Sequence, residues 1–178
     1  MIIALAGRRM DAADATEPRF PPRNVDEVRA RIYDTLQQTG ATALVSSAAC
    51  GADLLALTEA GKLGLRRRIV LPFERPRFRT TSVTDRPGDW GSVYDQVLDQ
   101  VEEDGDLVIL QNLPDDEAYS IVNGAILNEA VALGDAGREE VSAVLVWDGV
   151  SRGDDDLTEH FGAEARKRGL AVIEVPTT

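Results

Sequence analysis

The sequence is poor in the residue types that build disulfides, zinc sites and histidine relays. Its 178 residues contain one cysteine, Cys50, and one histidine, His160. A single cysteine cannot form an intramolecular disulfide, which agrees with a reducing compartment. A single histidine leaves no cluster for zinc and no spare base for a nucleophilic relay. We therefore predict no metal site, and we interpret both residues as structural.

Long apolar runs are absent as well. No run approaches the roughly 20 residues that span a bilayer. The apolar start of the chain is too short for a secretory signal, and its arginines follow rather than precede it. The composition, 43% hydrophobic and 28% charged, is typical of a globular protein. We expect a cytoplasmic protein with no membrane partner, folded as one domain over residues 1–178.

Basic residues are few relative to acidic ones, with 19 Lys and Arg against 31 Asp and Glu and a net charge of −12. Binding to nucleic acid needs many basic residues to neutralise backbone phosphates. The charge balance therefore argues against a protein that binds single-stranded DNA, which also needs stacking aromatics. A set of arginines in the first half predicts an anion site there. They are Arg8, Arg9, Arg19, Arg23, Arg66, Arg67, Arg68, Arg75, Arg77 and Arg79.

Apolar runs alternate with helical patterns, which is the signature of βαβ units and a parallel sheet. We predict six strands, near 2–6, 42–47, 68–72, 106–110, 142–147 and 171–175, with helices between them and a functional loop over 73–89. Asn24 is the predicted N-cap of the first helix. The fold class is α/β: a doubly wound, mostly parallel, Rossmann-like sheet in a three-layer domain. The usual strand order 3-2-1-4-5-6 would place the ligand crevice beside Gly7 and Leu110.

Two turns that follow apolar runs carry the strongest functional signal. Residues 46–53 (SSAACGAD) join a strand to a helix through small residues, and residues 7–11 (GRRMD) follow the first strand. A helix that begins after such a turn has backbone N–H groups without helical partners, and these favour anions. We predict that a phosphate is bound by Arg9 and by backbone groups of Gly7, Gly51 and Ala52.

Several side chains near these turns have two interpretations. Arg8 joins the phosphate contacts or pairs with a carboxylate, and Asp53 is a ligand contact or the N-cap of its helix. Tyr119 and Asn123 lie four residues apart on one helix face and suit recognition of a ribose or base. The predicted ligand-binding residues are Gly7, Arg8, Arg9, Gly51, Ala52, Asp53, Tyr119, Asn123, Asp148 and Gly149.

Two further groups of residues have both a functional and a non-functional interpretation. Arg75, Arg77 and Arg79 in the 73–89 loop close over a polyphosphate or stay solvated. Trp90 and Tyr94 form a stacking wall for a base or pack in the core.

Two acidic runs, residues 115–117 (DDE) and 154–156 (DDD), each precede a predicted helix. Carboxylates at a helix start interact favourably with the helix dipole, so we interpret both runs as caps. Weak capture of Mg²⁺ is the functional alternative. We predict no required cofactor, with Mg²⁺ accompanying a nucleotide as the one option.

In their order and spacing, the motifs resemble the SLOG superfamily, Rossmannoid domains related to the DNA-processing protein DprA/Smf and to LOG-type phosphoribohydrolases. The later motifs are similar to the branch found beside nucleotide cyclase and tetratricopeptide-repeat modules. The residues that carry the resemblance are 6–11 (AGRRMD), 19–21 (RFP), 51–53 (GAD), 59–60 (EA), 71–73 (LPF), Phe78, 82–83 (SV), Trp90, 118–119 (AY), Asn123 and 146–149 (VWDG).

The resemblance implies a nucleotide or nucleotide-derived ligand and, in some relatives, hydrolysis of its N-glycosidic bond. LOG enzymes carry a PGGxGTxxE loop with a catalytic glutamate, and this chain has no such sequence. Residues 153–158 (GDDDLT) stand where the branch commonly has a Gly-Gly-Thr run, and three carboxylates there repel phosphate. We therefore expect a sensor or signalling module that forms a homo-oligomer.

The enzyme alternative is a nucleotide N-glycosidase. In that case Asp11, Glu59 or Asp148 would stabilise an oxocarbenium-like ribosyl centre, as carboxylates do in glycoside chemistry.

Overall fold

The computed structural model describes residues 1–111 and 117–178, which form one sheet of six parallel strands with helices on both faces. This confirms the predicted α/β, Rossmann-like fold class. The strands are β1 (Ile2–Gly7), β2 (Ala43–Ser46), β3 (Arg66–Leu71), β4 (Leu107–Ile109), β5 (Val141–Trp147) and β6 (Ala171–Pro176). The helices are α1 (Val25–Gln38), α2 (Ala52–Lys62), α3 (Arg75–Ser82), α4 (Trp90–Glu103), α5 (Ala118–Gly137) and α6 (Leu157–Lys167).

The strand order is β4-β3-β2-β1-β5-β6, so the predicted order is wrong: the strand beside β1 at the reversal is β5, and Leu110, just after the end of β4, is not beside the crevice, whereas Gly7 is. Helix α4 packs beside α2, on the same face of the sheet, and this places β4 next to β3 at the edge. The chain then crosses to the other face through α5 and returns as β5 beside β1. The order reverses between β1 and β5, and ligands in such sheets bind outside the carboxyl ends of the strands at that point.

Two apolar cores lie on the two faces of the sheet. The larger core joins one side of the sheet to α1, α2, α3 and α4, and it contains Phe20, Phe78 and Tyr94. The smaller core joins the other side to α5 and α6 around Phe161. Residues 2–6 of β1 are buried, because this central strand is covered on both faces and so reads as a continuous apolar run.

Several predicted boundaries differ from the structure. The 73–89 loop contains α3, and β3 begins at Arg66 because its register with β2 pairs Ala43 with Arg66. Asn24 occupies the predicted N-cap position of α1, but its side chain makes no capping bond with a described residue, since its amide donates to the Thr177 carbonyl oxygen instead. The predicted start of the fifth helix at Asp116, and the cap assigned to Asp115 and Asp116, lie outside the described residues.

Within residues 1–111 and 117–178, no helix is both long and apolar enough to cross a membrane.

Candidate functional site

A cleft of about 640 Å³ opens at the carboxyl ends of β1 and β2, beside the reversal in strand order. Its volume lies within the range of roughly 300–1,000 Å³ that is typical of small-molecule sites. Its lining comes from the end of β1 and the segment after it, the turn between β2 and α2, the end of α3 and the turn after it, the first turns of α5, and the segment that leads into α6. The lining includes Gly7, Arg8, Arg9, Asp11, Arg19, Ser47, Asp53, Phe78, Ser82, Arg86, Tyr119, Asn123, Arg152 and Asp156.

Arg8 is the buried anchor of one wall of the cleft. Its Nε donates to Asp148 at 2.8 Å, its Nη1 to Asp156 at 2.7 Å, and its Nη2 to the Val150 carbonyl oxygen at 2.7 Å. The Arg8 side chain is 2% exposed, and its guanidinium also lies 5.5 Å from the Trp147 ring. Of the two interpretations, pairing with carboxylates is the one seen, and these bonds clamp the segment after β5 against the end of β1.

Asp156 completes this ion cluster and begins helix α6. It accepts hydrogen bonds from the backbone N–H groups of Thr158 and Glu159, which confirms the predicted cap at the 154–156 run. Burial acts to raise the pKa of Asp156, but the bonds from Arg8 and from the backbone amides of Glu159 and Arg152 outweigh it and hold that pKa at about 2.

The loop after β1 closes on itself through Asp11. Both of its carboxylate oxygens accept from the Arg19 amide, at 3.1 and 3.0 Å, and one accepts from the Phe20 amide at 3.1 Å. Arg19 in turn donates to Asp148 and to the Val150 carbonyl oxygen. Asp11 and Asp148, two of the three predicted catalytic carboxylates, are thus engaged in holding loops.

At least one amide of the predicted main-chain cradle is already used within the protein. The Ala52 amide donates to the Arg8 carbonyl oxygen at 3.1 Å, so the expectation that it is free for a phosphate is wrong. Gly51 has φ +97°, and a Cβ there would lie 2.8 Å from both the Arg8 carbonyl oxygen and the Met10 nitrogen. At Gly7 a Cβ would lie 2.4 Å from that of Ala52. Both glycines therefore allow the two turns to pack against each other.

Two arginines present unsatisfied donors at the cleft. The Nε atoms of Arg9 and Arg86 are buried without a hydrogen-bond partner among the described residues. Arg9 also makes an ion pair through Nη2 with Asp85, at side-chain exposures of 30% and 33%. A buried donor without a partner is costly, and a planar guanidinium suits a phosphate or carboxylate. These two groups are the candidates for contact with an anion in the cleft.

Asp53, in helix α2, contributes hydrogen-bond acceptors to the cleft, in contrast to the donors of Arg9 and Arg86. It is 5% exposed, its Oδ2 accepts from the Ser47 hydroxyl at 2.5 Å and the Ala49 amide at 3.3 Å, and its Oδ1 has no partner among the described residues. The predicted N-cap position belongs to Gly51 instead. Burial raises the pKa of Asp53 to about 6, although bonds from Ser47 and Ala49 and the charge of Arg9 act in the other direction.

The raised pKa of Asp53 predicts a pH-dependent stability. The folded state binds this proton more tightly than the unfolded state, so the unfolding free energy falls as pH rises from about 4 to about 6. At about 1.4 kcal/mol per pKa unit, the loss is about 3 kcal/mol and complete by pH 7. Asp53→Asn removes it, so the stability of the variant minus that of the wild type should increase between pH 4.5 and 7.5. Urea unfolding measures this difference, and a constant value would contradict the raised pKa.

The remaining wall of the cleft combines apolar surface with two polar groups. Tyr119 and Asn123 both line it, as their predicted shared face requires. The Tyr119 hydroxyl lies 2.9 Å from the Ser82 hydroxyl, and the Asn123 amide donates to the Leu157 carbonyl oxygen at 2.8 Å. Val122 and Ile126, on the same helix, provide the apolar part of this wall. This surface suits the face of a flat ring.

Some predicted site residues lie away from the cleft. The residues that do not line it are Gly51, Ala52, Glu59, Asp148 and Gly149. Glu59 is buried and accepts a hydrogen bond from Lys62. Gly149 is exposed.

The arginines of the 73–89 region do not form a mobile clamp as one interpretation proposed. Arg75 pairs with Asp99 and Glu102, and Arg79 pairs with Asp95, all on the neighbouring helix α4. Arg77 lies over the Phe73 ring, 3.8 Å from its centroid.

The pair Trp90 and Tyr94 belongs to the core. Tyr94 stacks on Phe78 and donates from its hydroxyl to the Arg75 carbonyl oxygen, and burial raises the pKa of Tyr94 to about 12. Cys50 is also fully buried, and burial raises the pKa of its thiol, as expected of a structural cysteine.

Sequence reasoning missed Arg86, Arg152 and Ser82 as cleft residues. Arg86 lies in a turn that contains Pro87 and Gly88, and no strand or helix pattern predicts where this turn is placed. Arg152 lies just before the 154–156 acidic run, whose carboxylates argued against a phosphate contact there. Ser82 is the last residue of helix α3, which was not predicted, so its position at the cleft was not predicted either. In the part of the chain that the structure describes, no group of three or more His, Cys, Asp or Glu is placed to hold a metal ion.

No family model matches the sequence, and a search of curated proteins finds no match either.

Proposed function

We propose that the cleft binds a nucleotide or nucleotide-derived ligand through its phosphate, as a sensor or signalling module. The observation that carries the proposal is the pair of buried, unpartnered Nε donors of Arg9 and Arg86 in a cleft of nucleotide size. A phosphate in contact with these atoms would supply the acceptors that the described residues do not.

The arginines of the lining support an anionic ligand only where they lack a carboxylate partner in the cleft. Five arginines line the cleft, and so do five carboxylates: Asp11, Glu17, Asp53, Asp155 and Asp156. Two of the arginines, Arg8 and Arg19, are neutralised by Asp148 and Asp156, while the Arg152 side chain makes no hydrogen bond or ion pair with a described residue. Burial, followed by the like charges of Arg8 and Arg19, lowers the pKa of Arg152. Arg9, Arg86 and Arg152, which pair with no carboxylate of the described lining, are therefore the cations that would attract an anion to this place.

Two further aspects belong to the proposal. The resemblance to the SLOG superfamily agrees with a nucleotide ligand and with a module that relays its presence. A cytoplasmic location and a homo-oligomeric state fit such a role, with Mg²⁺ accompanying the nucleotide only as its counterion.

Titration calorimetry with nucleoside 5′-monophosphates and 5′-diphosphates tests this function. We expect binding that weakens about 10–100-fold in Arg9→Ala and in Arg86→Ala, because a hydrogen bond to a charged group contributes about 1.5–3 kcal/mol. The matched control is Arg166→Ala, which removes an exposed arginine paired with Glu174. Nucleosides without phosphate should bind far more weakly. Equal binding of nucleosides and nucleotides, or equal binding by Arg9→Ala, would contradict the proposal.

A hydrolase is the second candidate, and the free oxygen of Asp53 in the cleft is the observation that favours it. The three carboxylates first considered for catalysis are less suited, since Asp11 and Asp148 hold loops and Glu59 is outside the cleft. Incubation with nucleoside monophosphates and with NAD, followed by chromatography for free base, separates the two functions. We expect no release of base. Steady release would show that the protein is an N-glycosidase and would contradict the sensor function.

A further inference from the structure

Asp53 has an unusual environment for a carboxylate that only supports a turn. One oxygen is held by Ser47 and Ala49, which fixes the orientation of the group. The other oxygen is buried and has no hydrogen-bond partner that meets distance and angle criteria among the described residues, although the Ser46 hydroxyl is close enough to act on the pKa of Asp53, and the residue itself lines the cleft. A carboxylate held in this way is preorganised to accept a hydrogen bond from whatever fills the cleft.

The chemistry of that oxygen limits what it accepts. An ionised carboxylate has no hydrogen to donate, and it repels a phosphate that comes close. With a pKa of about 6, Asp53 is mostly ionised at neutral pH. The part of the ligand beside Asp53 is therefore uncharged and carries N–H or O–H donors, while the phosphate lies toward Arg9 and Arg86.

The position of Asp53 relative to Arg9 narrows the donor to the sugar. Arg9 and Asp53 line the same cleft, and the backbone of Arg9 forms a bridge with that of Gly51, two residues before Asp53. In a nucleotide the ribose hydroxyls lie near the 5′-phosphate, whereas the donors of the base lie at the far end of the molecule. The base then has the apolar surface of Val122 and Ile126, with Tyr119, to lie against.

We infer that Asp53 accepts hydrogen bonds from the ribose hydroxyls of the bound nucleotide, and that the cleft therefore selects ribonucleotides over deoxyribonucleotides. This inference rests on the proposed function, because it assumes that a nucleotide occupies the cleft. It assigns a specificity to Asp53 that the phosphate contacts alone would not give.

The test compares ribose with deoxyribose on the wild-type protein. AMP, GMP, CMP and UMP are titrated first, and the tightest of them is then compared with its 2′-deoxy and 3′-deoxy counterparts. We expect at least one deoxynucleotide to bind about 10-fold or more weakly, since its missing hydroxyl leaves a buried charged acceptor unpaired. Equal affinities overturn the inference and leave the proposed function standing. Absence of binding by all four monophosphates overturns both.

Substitutions of Asp53 test whether this residue is the source of the preference for ribonucleotides. In Asp53→Asn and in Asp53→Ala we expect the preference for the ribonucleotide to fall toward 1, with deoxynucleotide binding largely retained. Asp95→Asn, the same chemical change at a surface carboxylate paired with Arg79, should keep the wild-type preference. A preference that persists in both Asp53 variants would show that another residue reads the sugar and would contradict the assignment.

Discussion

Replacing Arg8 by methionine is expected to lower the free energy of unfolding by about 3–5 kcal/mol, the usual cost of removing one partner from a buried ion pair. The change leaves Asp156, which is fully buried, without its cation, while Asp148, at 8% exposure, keeps its pair with Arg19. Methionine fills much of the same volume, so the loss reports the unpaired charge of Asp156 rather than a cavity. Urea unfolding at pH 7 measures it.

Two further variants make this result specific. Arg166→Met removes an exposed arginine paired with Glu174 and should cost less than about 1 kcal/mol, because water screens that pair. Adding Asp156→Asn to Arg8→Met should recover part of the loss, since asparagine still caps α6 and carries no charge. A loss below 1 kcal/mol in Arg8→Met, or no recovery in the double variant, would contradict the role of Arg8 as the buried anchor.

Gly51→Ala is expected to lower the free energy of unfolding by about 2–5 kcal/mol, from backbone strain and overpacking together. Residue 51 has φ +97° and ψ −126°, a conformation that side-chain-bearing residues rarely adopt. The added methyl group would also lie 2.8 Å from the Arg8 carbonyl oxygen and the Met10 nitrogen. Because these are backbone atoms, relief requires moving the segment that carries Arg9.

Gly124→Ala is the matched control for this substitution. Gly124 lies inside α5 with nothing within 4 Å of an added Cβ, so alanine should stabilise the helix by about 0.5–1 kcal/mol. Thermal and urea unfolding of both variants measure the contrast. If Gly51→Ala folds with wild-type stability, the contact between the two turns is not the reason for glycine at this position.

The sheet was predictable from the sequence, and its strand order was not. The buried strand β1 reads as an uninterrupted apolar run because helices cover both of its faces. The position of β4 depends on which face α4 packs against, and no local pattern encodes that choice. Helix α3 was not predicted, because Pro76 and the three arginines within residues 75–82 form a pattern typical of a loop. Proline is nevertheless well tolerated in the first turn of a helix.

The site was predictable in its location and only partly in its roles. The turns at 7–11 and 46–53 do meet at one cleft, because carboxyl ends of neighbouring parallel strands meet at one edge. Which of Arg8 and Arg9 has free donors depends on Asp148 and Asp156, which lie 140 and 148 positions away from Arg8 in sequence. The sequence allowed two roles for Asp53, a helix cap or a ligand contact. It could not decide between them, because the burial of Asp53 and its unpartnered oxygen depend on the folded chain.

The most direct test of nucleotide binding at this cleft is a titration of the ¹⁵N-labelled protein with a nucleoside 5′-monophosphate, followed by two-dimensional NMR. Saturable shifts should concentrate in the amides of residues 7–11 and 47–53 and in the arginine Nε–H signals of Arg9 and Arg86. Signals of Arg75 and Arg79, which pair with carboxylates on α4, should stay in place. Saturable shifts confined to other surfaces, or no shifts at millimolar nucleotide, would contradict a phosphate site between these turns.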